Sequence, residues 1–287
     1  MRSLNVIGCG RVGTTLAALF HRHGVCDVQD LYSRTPENAQ DAARIIGSGN
    51  CALRVSDMRP ADIWMLSVPD AQVASVASRL SEHVLSFPRA PEYPTAFHCS
   101  GFLPASALEP LQRLGWLTAS VHPVFNFADP ARCISQFMGT PCGLEGNEKA
   151  ISVLSDLLNE IGGKCFSVQT ESKPLYHAAA VFSSNFLSVI QAIARESWSA
   201  AGVPETLIPL IHESLLRGSV ENILAMGPAQ AITGPAARGD TSVVNAQGAL
   251  VSQWHPEAGD IYQRMSLLAR RLSTTGTTLN AAKEILI

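Results

Sequence analysis

Charged residues are scarce in this 287-residue chain, which has 21 Lys and Arg against 24 Asp and Glu. A formal net charge of -3 excludes a strongly basic nucleic-acid-binding protein, so we expect no nucleic-acid partner. The charged fraction of 16% lies below the roughly 25% that is usual for soluble proteins. We therefore expect some helical surface to be buried against a second copy of the chain, as in a homodimer.

Paired cysteines and membrane signals are also missing. The seven cysteines are odd in number and none has CxxC spacing, which argues against a disulfide framework and a structural zinc site. The N-terminus enters a strand pattern at Leu4 without the charged and apolar segments of a signal peptide. No strictly apolar run reaches the roughly 18 residues that span a membrane. These absences predict a cytoplasmic globular protein without a metal site or a membrane partner.

Short apolar runs alternate with helical patterns in the first part of the chain. The predicted strands are Leu4–Ile7, Val28–Tyr32, Ile63–Val68, Ala96–Cys99, Leu117–His122, Pro141–Leu144 and Lys164–Val168. Strands that alternate with helices indicate a doubly wound parallel sheet of the α/β class. We assign residues 1–168 to this domain.

The pattern becomes entirely helical after Val168, and we assign residues 169–287 to an all-helical domain. Its predicted helices are Pro174–Ala201 as one unbroken helix, Pro204–Met226, Thr241–Gln253, Glu257–Leu272 and a short helix after Thr278.

The strongest motif is a glycine-rich turn that directly follows the first predicted strand. Gly8, Gly10 and Gly13 form a GxGxxG pattern, and Arg11 and Val12 open the following helix. Gly8 permits the tight turn, Gly10 lets a pyrophosphate approach the backbone, and Gly13 lets the helix pack on the strand. The free amides of the helix N-terminus favour the phosphates. The pattern predicts a dinucleotide-binding domain, with a ligand-free glycine turn as the alternative.

The end of the second predicted strand indicates which dinucleotide binds. Folds that bind NAD usually place Asp or Glu there, on the ribose hydroxyls. This chain has Ser33, Arg34 and Thr35 instead. The guanidinium of Arg34 can pair with a 2′-phosphate, and the two hydroxyls can donate hydrogen bonds. We therefore predict NADP(H) rather than NAD(H), unless Arg34 is only a solvated loop residue.

Two later strand ends lie at the same predicted edge, where such sheets bind ligands. Ser67–Asp70 follows one strand and His98–Gly101 ends the next. Asp70 is either functional or a helix cap, and His122, at a further strand end, is either a pocket residue or a core histidine. The predicted cofactor-binding residues are Gly8, Gly10, Arg11, Val12, Gly13, Ser33, Arg34, Thr35, Ser67, Val68, Pro69, Ser100 and Gly101.

The helical half supplies the candidate catalytic groups. Lys173 and His177 are four residues apart at the start of the long predicted helix, so they share a face. A reductase needs a proton donor beside the carbon that receives hydride, and both side chains have that chemistry. Arg238, in a glycine- and proline-rich segment, could hold an anionic substrate group or a facing carboxylate. Asp240 beside it could cap the next helix.

Together these motifs give the chain a recognisable resemblance. It resembles the Rossmann-like proteins with a C-terminal domain of unknown function 2520, distant relatives of pyrroline-5-carboxylate reductase and of the 6-phosphogluconate and 3-hydroxyacid dehydrogenases. The stretches Lys173–Asn185 (KPLYHAAAVFSSN) and Gly234–Asp240 (GPAARGD) are the most specific to this family. The resemblance implies an NADP-dependent oxidoreductase that dimerises through its helical domain. The 3-hydroxyacid dehydrogenases have Asn at the position of His177, which argues against hydroxyacid substrates.

We therefore expect a reductase or dehydrogenase that moves a hydride between NADP(H) and a small C=O or C=N substrate in a cleft between the domains. The alternative is a non-catalytic NADP(H)-binding sensor or partner protein. A methyltransferase that uses S-adenosylmethionine is a weaker third option, because the long helical half argues against it.

Overall fold

The computed structural model describes residues 1–85 and 94–280. The chain forms two compact units, Met1–Asn185 and Phe186–Ile287. The predicted domain boundary between residues 168 and 169 marks the change from strands to helices. The compact units are divided after Asn185 instead, so the predicted boundary stays a prediction.

An eight-stranded sheet is the centre of the first unit. Its strands are β1 (Arg2–Ile7), β2 (Cys26–Tyr32), β3 (Asn50–Ala52), β4 (Ile63–Leu66), β5 (Thr95–His98), β6 (Leu117–Pro123), β7 (Pro141–Gly146) and β8 (Lys164–Ser167). Their order is β3-β2-β1-β4-β5-β6-β7-β8. The α/β class with a doubly wound sheet is confirmed. One detail differs from the all-parallel expectation, because β6 and β7 pair antiparallel.

Helices cover both faces of this sheet. They are α1 (Arg11–Arg22), α2 (Pro36–Ile46), α3 (Asp70–Val84), α4 (Glu109–Gln112), α5 (Pro130–Gln136), α6 (Glu148–Glu160) and α7 (Lys173–Ala180). Leu16 and Phe20 of α1 belong to one buried apolar cluster, and Val73 and Leu80 of α3 belong to the other. Because helices cover both faces, both faces of the sheet carry apolar residues. In β4, for example, all four residues are buried.

The strand order creates the ligand-binding edge of the fold. β1 lies between β2 and β4, and all three run parallel. The chain leaves β1 towards β2 on one side, whereas β4 and the strands after it continue on the other. Such a reversal opens a crevice beyond the carboxyl ends of the strands. The glycine turn and the loops after β4 and β5 all lie at this edge.

The second unit contains helices and no strand among its described residues. It contains α8 (Phe186–Ala200), α9 (Ile208–Met226), α10 (Pro228–Ala231), α11 (Pro235–Arg238), α12 (Thr241–Trp254) and α13 (Pro256–Thr275). The short helix predicted after Thr278 falls largely outside the described residues.

The predicted helix from Pro174 to Ala201 is present as a continuous helical run that ends at Ala200. It is not regular, because a π-helical turn, Val181–Asn185, lies between α7 and α8. A π turn accommodates an extra residue, and the apolar periodicity of the sequence on either side does not reveal it.

The helical run Thr170–Ala200 is long enough to cross a membrane and contains an 18-residue window with a mean hydropathy of 1.3. The sequence-based expectation missed it because polar residues such as Ser183 and Asn185 interrupt the strictly apolar run. One such helix is weak support for a membrane span, because length and composition alone identify it.

Candidate functional site

The glycine turn after β1 is held between the ends of the neighbouring strands. The amide of Gly8 donates to the carbonyl of Tyr32 at the end of β2, 2.8 Å away. Gly8 has a φ of 101°, and a Cβ atom there would collide with the carbonyl of Ser67. A Cβ atom on Gly13 would collide with the carbonyl of Gly8. Both glycines are therefore required for packing, as predicted from the motif.

Gly10 differs from these two glycines because a Cβ atom there would meet no atom within 4 Å. It is the N-cap residue of α1, and no side chain accepts a hydrogen bond from the first turn of this helix. The first turn has no acidic residue either. The open space, the amides and the positive end of the helix dipole fit the pyrophosphate of a dinucleotide.

The end of β2 carries the predicted 2′-phosphate site. Ser33 and Arg34 follow the last strand residue directly, and Thr35 is the N-cap residue of α2 without a capping side-chain hydrogen bond. Arg34 is exposed. Within the described residues its guanidinium has no carboxylate partner, whereas Arg44 and Arg54 nearby pair with Asp41 and Asp57. The guanidinium of Arg34 is therefore available for a phosphate.

Asp70 and Ser100 join the loops after β4 and β5. The hydroxyl of Ser100 donates to Asp70 Oδ2, 2.9 Å away, and accepts from the amides of Phe102 and Leu103. Asp70 is the first residue of α3, not its N-cap, which is Pro69. The capping alternative for Asp70 is therefore wrong, because its carboxylate binds a neighbouring loop.

A buried histidine fixes the backbone of the Ser100–Gly101 turn. His98 Nδ1 accepts from the Ser100 amide at 3.2 Å, and its Nε2 lies 3.0 Å from the Pro104 carbonyl. Burial lowers the pKa of His98, which keeps the ring neutral with its proton on Nε2. Burial also raises the pKa of the Cys99 thiol to about 12, so this thiol is protonated at neutral pH.

His122 and His177 lie against Gly101. A Cβ atom on Gly101 would be 2.5 Å from His177 Nδ1 and 2.8 Å from His122 Nε2. The two imidazoles make an edge contact with ring centroids 5.4 Å apart. His177 Nδ1 is shielded from solvent and makes no hydrogen bond within the described residues. Both rings thus pack a nitrogen against Gly101, where only a glycine fits.

Tyr176 connects this pair to α7. Its hydroxyl lies 2.7 Å from His122 Nδ1. Burial lowers the pKa of His122 to about 4, with smaller contributions from His177 and Lys173. Burial raises the pKa of Tyr176 to about 12. At neutral pH both groups are uncharged, and the phenol can donate to Nδ1 while the ring proton is on Nε2.

Lys173 lies on the face of α7 that packs on the sheet, one turn before His177. Only 1% of its surface is exposed. Its ammonium donates to Ser120 Oγ at 2.7 Å and lies 3.5 Å from the Ser100 carbonyl. Burial lowers the pKa of Lys173, against the opposing influence of Glu145 and Asp70. The predicted shared face of Lys173 and His177 is present, but Lys173 holds the strand ends and is not among the residues that line the cavity.

A cavity of about 530 Å³ opens beside the two histidines and is lined by residues of the first unit. Its lining residues are His122, Val124, Phe125, Asn126, Phe127, Tyr176, His177, Ala179, Ala180, Ser183, Ser184 and Asn185. The π turn supplies the last three. In a regular α-helix, Asn185 would lie off the face of His177. The extra residue of the π turn lets both residues line one cavity, and π turns are frequent at functional sites.

Arg238 lies in the second unit and ends α11. Its guanidinium pairs with Asp240 at 3.0 Å, and both side chains are exposed. This is the facing carboxylate that the sequence offered as an alternative to a substrate anion. Asp240 is the N-cap residue of α12, but its carboxylate caps no amide. A role of Arg238 in substrate binding stays a prediction.

Four residues of this site are not singled out from the sequence: His98, Ser120, Glu145 and Tyr176. Glu145 lies on the antiparallel strand β7 and accepts from the Ala105 amide and the Thr170 hydroxyl. Tyr176 had a sequence signal, because it is three residues after Lys173 and adjacent to His177. The others are identified only by contacts across the sheet. Among the described residues no group of three or more His, Cys, Asp or Glu could hold a metal ion.

Two family models match the chain. Residues 2–123 match the Rossmann-like domain, and residues 140–269 match the domain of unknown function 2520. The resemblance stated from the motifs is confirmed, and the chain combines these two domains. No curated protein sequence matches the chain.

Solved structures share the fold over almost the whole chain. Protein TM1727 from Thermotoga maritima is 25% identical, with a TM-score of 0.72 over 95% of this chain and 99% of that one. BF3122 from Bacteroides fragilis, named "putative NADP oxidoreductase", is 22% identical, with a TM-score of 0.74 over 94% and 98%. An imine reductase from Myxococcus stipitatus in complex with NADP+ is 18% identical, with a TM-score of 0.62 over 96% of both chains.

Proposed function

Because the chain joins a Rossmann-like domain to a domain of unknown function 2520, we propose that it is an NADP(H)-dependent oxidoreductase that moves a hydride to or from a small C=O or C=N compound. The observation that carries the proposal is the contrast within the glycine turn. Gly8 and Gly13 are packed against protein atoms, whereas Gly10 faces open space at a helix N-terminus without a cap. An imine reductase and an oxidoreductase named for NADP share this fold.

The chain's own residues bind and orient the cofactor. The amides of Gly10, Arg11 and Val12 would donate hydrogen bonds to the pyrophosphate, and Ser33, Arg34 and Thr35 would donate to the 2′-phosphate. Ser67, Val68, Pro69, Ser100 and Gly101 form the loops at the edge where the nicotinamide would lie. The Asp70–Ser100 hydrogen bond holds the two loops together.

The histidines beside Gly101 move the proton. When bound, NADPH supplies the two-electron hydride, and the carbon of the C=O or C=N group receives it. The double bond's electron pair moves to oxygen or nitrogen, which then takes a proton from the enzyme. His177 lines the cavity with its Nδ1 buried against Gly101, so we assign its other ring nitrogen, Nε2, as the proton donor in reduction and acceptor in oxidation. Lys173 acts through Ser120 and the Ser100 carbonyl as a positioning residue.

The test of cofactor binding uses Gly10→Leu. A side chain at Gly10 meets no protein atom within 4 Å, and the residue has φ -81°, so the variant should keep the melting temperature of the unliganded protein. It should lose the rise in melting temperature that NADPH gives to the wild type, because the leucine occupies the phosphate position. Gly218→Leu, at another glycine with no atom within 4 Å, should keep that rise.

Three ligands distinguish the alternatives with the wild-type protein. NADPH should stabilise it more than NADH, and S-adenosylmethionine should not stabilise it. Stabilisation by S-adenosylmethionine alone would replace the oxidoreductase with a methyltransferase. Stabilisation by NADPH without oxidation of NADPH by any small carbonyl or imine compound would favour the non-catalytic alternative.

We also propose that a second copy of the chain covers the helical unit. In residues 186–280 the buried residues are Ile208, Gly248, Ala258 and Gly259, whereas Leu224 is 81% exposed. Large exposed apolar surfaces of this kind mark interaction sites. Leu224→Lys should lower the mass found by light scattering from dimer to monomer. Leu53→Lys, at an exposed leucine of the first unit, should leave the dimer intact.

A further inference from the structure

The cavity beside His177 has no Asp, Glu, Lys or Arg among its lining residues in the described chain. Its polar lining residues Asn126, Ser184 and Asn185 are exposed, so it opens to solvent. Apart from the imidazole that donates the proton, a carboxylate on the substrate would find no cation to pair with in this lining.

The charges behind the cavity wall do not compensate for this lack. Lys173 is buried there, and its ammonium is already bound by Ser120 and the Ser100 carbonyl. The carboxylates of Glu145 and Asp70 act on the same ammonium. The two carboxylates outweigh the charge of the Lys173 ammonium, so these three groups together do not attract an anion to the cavity.

The lining offers hydrogen bonds and aromatic surface instead. The side chains of Asn126, Ser184 and Asn185 line the cavity and make no hydrogen bond to any described residue. Phe125 and Phe127 stack edge to face on another part of the wall, with ring centroids 5.4 Å apart. Amide and hydroxyl groups beside aromatic rings match a ligand with an apolar body and an uncharged polar group.

The π turn places one further polar group at the cavity. In a regular α-helix, Ser184 would share the face of His177, whereas Asn185 would be rotated from it by roughly 80°, at about 3.6 residues per turn. The π turn Val181–Asn185 holds an extra residue, and Ser183, Ser184 and Asn185 all line the cavity with His177. The irregular backbone therefore adds Asn185 to the polar side chains near the proton-transfer group.

We propose that the cavity takes uncharged carbonyl or imine compounds and discriminates against those that carry a carboxylate. This inference rests on the proposed function, since it names the substrate class of the same site. It assigns Asn126, Ser184 and Asn185 as residues that contact the polar part of the substrate.

The first test compares matched pairs that differ only in charge. The pairs are 2-oxo acids with their methyl esters, and cyclic imines with and without a ring carboxylate. We expect kcat/KM with NADPH to be at least tenfold higher for the uncharged member of each pair. A higher value for the carboxylates would overturn the inference and leave the proposed oxidoreductase activity standing.

The second test measures binding without turnover. Benzamide and benzoate have the same shape, and their binding to the NADPH-saturated protein is followed by the imidazole proton resonances of His122 and His177. Benzamide should bind at least tenfold more tightly. An equal response to the two compounds, including no response, or tighter binding of benzoate would contradict the inference.

A variant with a new cation provides the matched control. Ser183→Lys places an ammonium in the cavity lining and should shift the preference at least tenfold towards the carboxylates. Ser75→Lys changes an equally exposed helical serine on α3, whose hydroxyl also donates to a backbone carbonyl, and should leave the preference unchanged. An unchanged preference in Ser183→Lys would show that the substrate does not reach this wall.

Discussion

The hydroxyl of Tyr176 lies 2.7 Å from Nδ1 of His122, and this contact links α7 to the carboxyl end of β6. When the phenol donates a hydrogen bond to Nδ1, the proton of the neutral imidazole is on Nε2, the nitrogen that faces Gly101. The pair therefore controls the hydrogen-bonding character of the space in which the proposed reaction takes place.

Tyr176→Phe should reduce kcat about tenfold and leave KM for NADPH unchanged, because only the orientation and tautomer of His122 are affected. The free energy of unfolding should fall by about 1 kcal/mol, the usual net value of one hydrogen bond. Steady-state kinetics and urea denaturation measure both. Tyr262→Phe removes a similar hydrogen bond to Gln247 in the second unit and should change stability but not kcat. Equal kinetic losses in both variants would argue against this role.

The half-buried His122 should make the protein less stable in mild acid. Its pKa is about 4 in the folded chain against 6.5 for the unperturbed group. Between these values the unfolded state binds the extra proton, so the free energy of unfolding falls as pH falls from about 6.5 to about 4. The loss amounts to about 2–3 kcal/mol. Urea titrations at several pH values should show this slope in the wild type and a weaker one in His122→Asn.

Gly101 is the position where one methyl group should displace both histidines. Gly101→Ala would place a Cβ atom 2.5 Å from His177 Nδ1 and 2.8 Å from His122 Nε2, so both rings must move. We expect a loss of about 1–3 kcal/mol in stability, typical of overpacking, and a fall in kcat of at least tenfold. Gly218→Ala, in α9 with no neighbour within 4 Å, should be neutral or slightly stabilising. Unchanged kcat in Gly101→Ala would place the chemistry elsewhere.

Arg34 should set the preference for NADPH over NADH. Arg34→Ala removes an exposed guanidinium with no carboxylate partner among the described residues, and should weaken NADPH binding about 10- to 100-fold. NADH lacks the 2′-phosphate, so its affinity should change little. Arg44→Ala on α2, whose guanidinium already pairs with Asp41, should affect neither cofactor. Fluorescence titration measures the affinity of each variant for both cofactors. An equal loss of affinity for NADPH and NADH in Arg34→Ala would contradict the assignment.

The local motifs of this chain were predictable because each one depends on neighbours in sequence. Gly8, Gly10 and Gly13 lie within one turn, and their roles follow from the strand before them and the helix after them. Lys173 and His177 share a face for the same reason. The strands were placed correctly where a short apolar run was bounded by polar residues, whereas the three-residue β3, with two exposed residues, has no such pattern.

The contacts across the sheet were not predictable in this way. Ser120, His98 and Glu145 are ordinary polar residues in sequence, and only the order of the strands brings them to Lys173 and Ser100. The antiparallel direction of β7 likewise depends on pairing with β6. The distinction between Lys173 as a proton donor and Lys173 as a buried ammonium needs the packing around its side chain, which periodicity does not supply.

The π turn Val181–Asn185 also has a consequence for evolution and engineering. Deleting one residue from it would let α7 and α8 merge into a single regular helix with better backbone hydrogen bonding. That shorter chain would be locally more stable, yet every side chain beyond the deletion would turn by about 100° about the helix axis. Selection for thermal stability alone would thus favour the shorter chain.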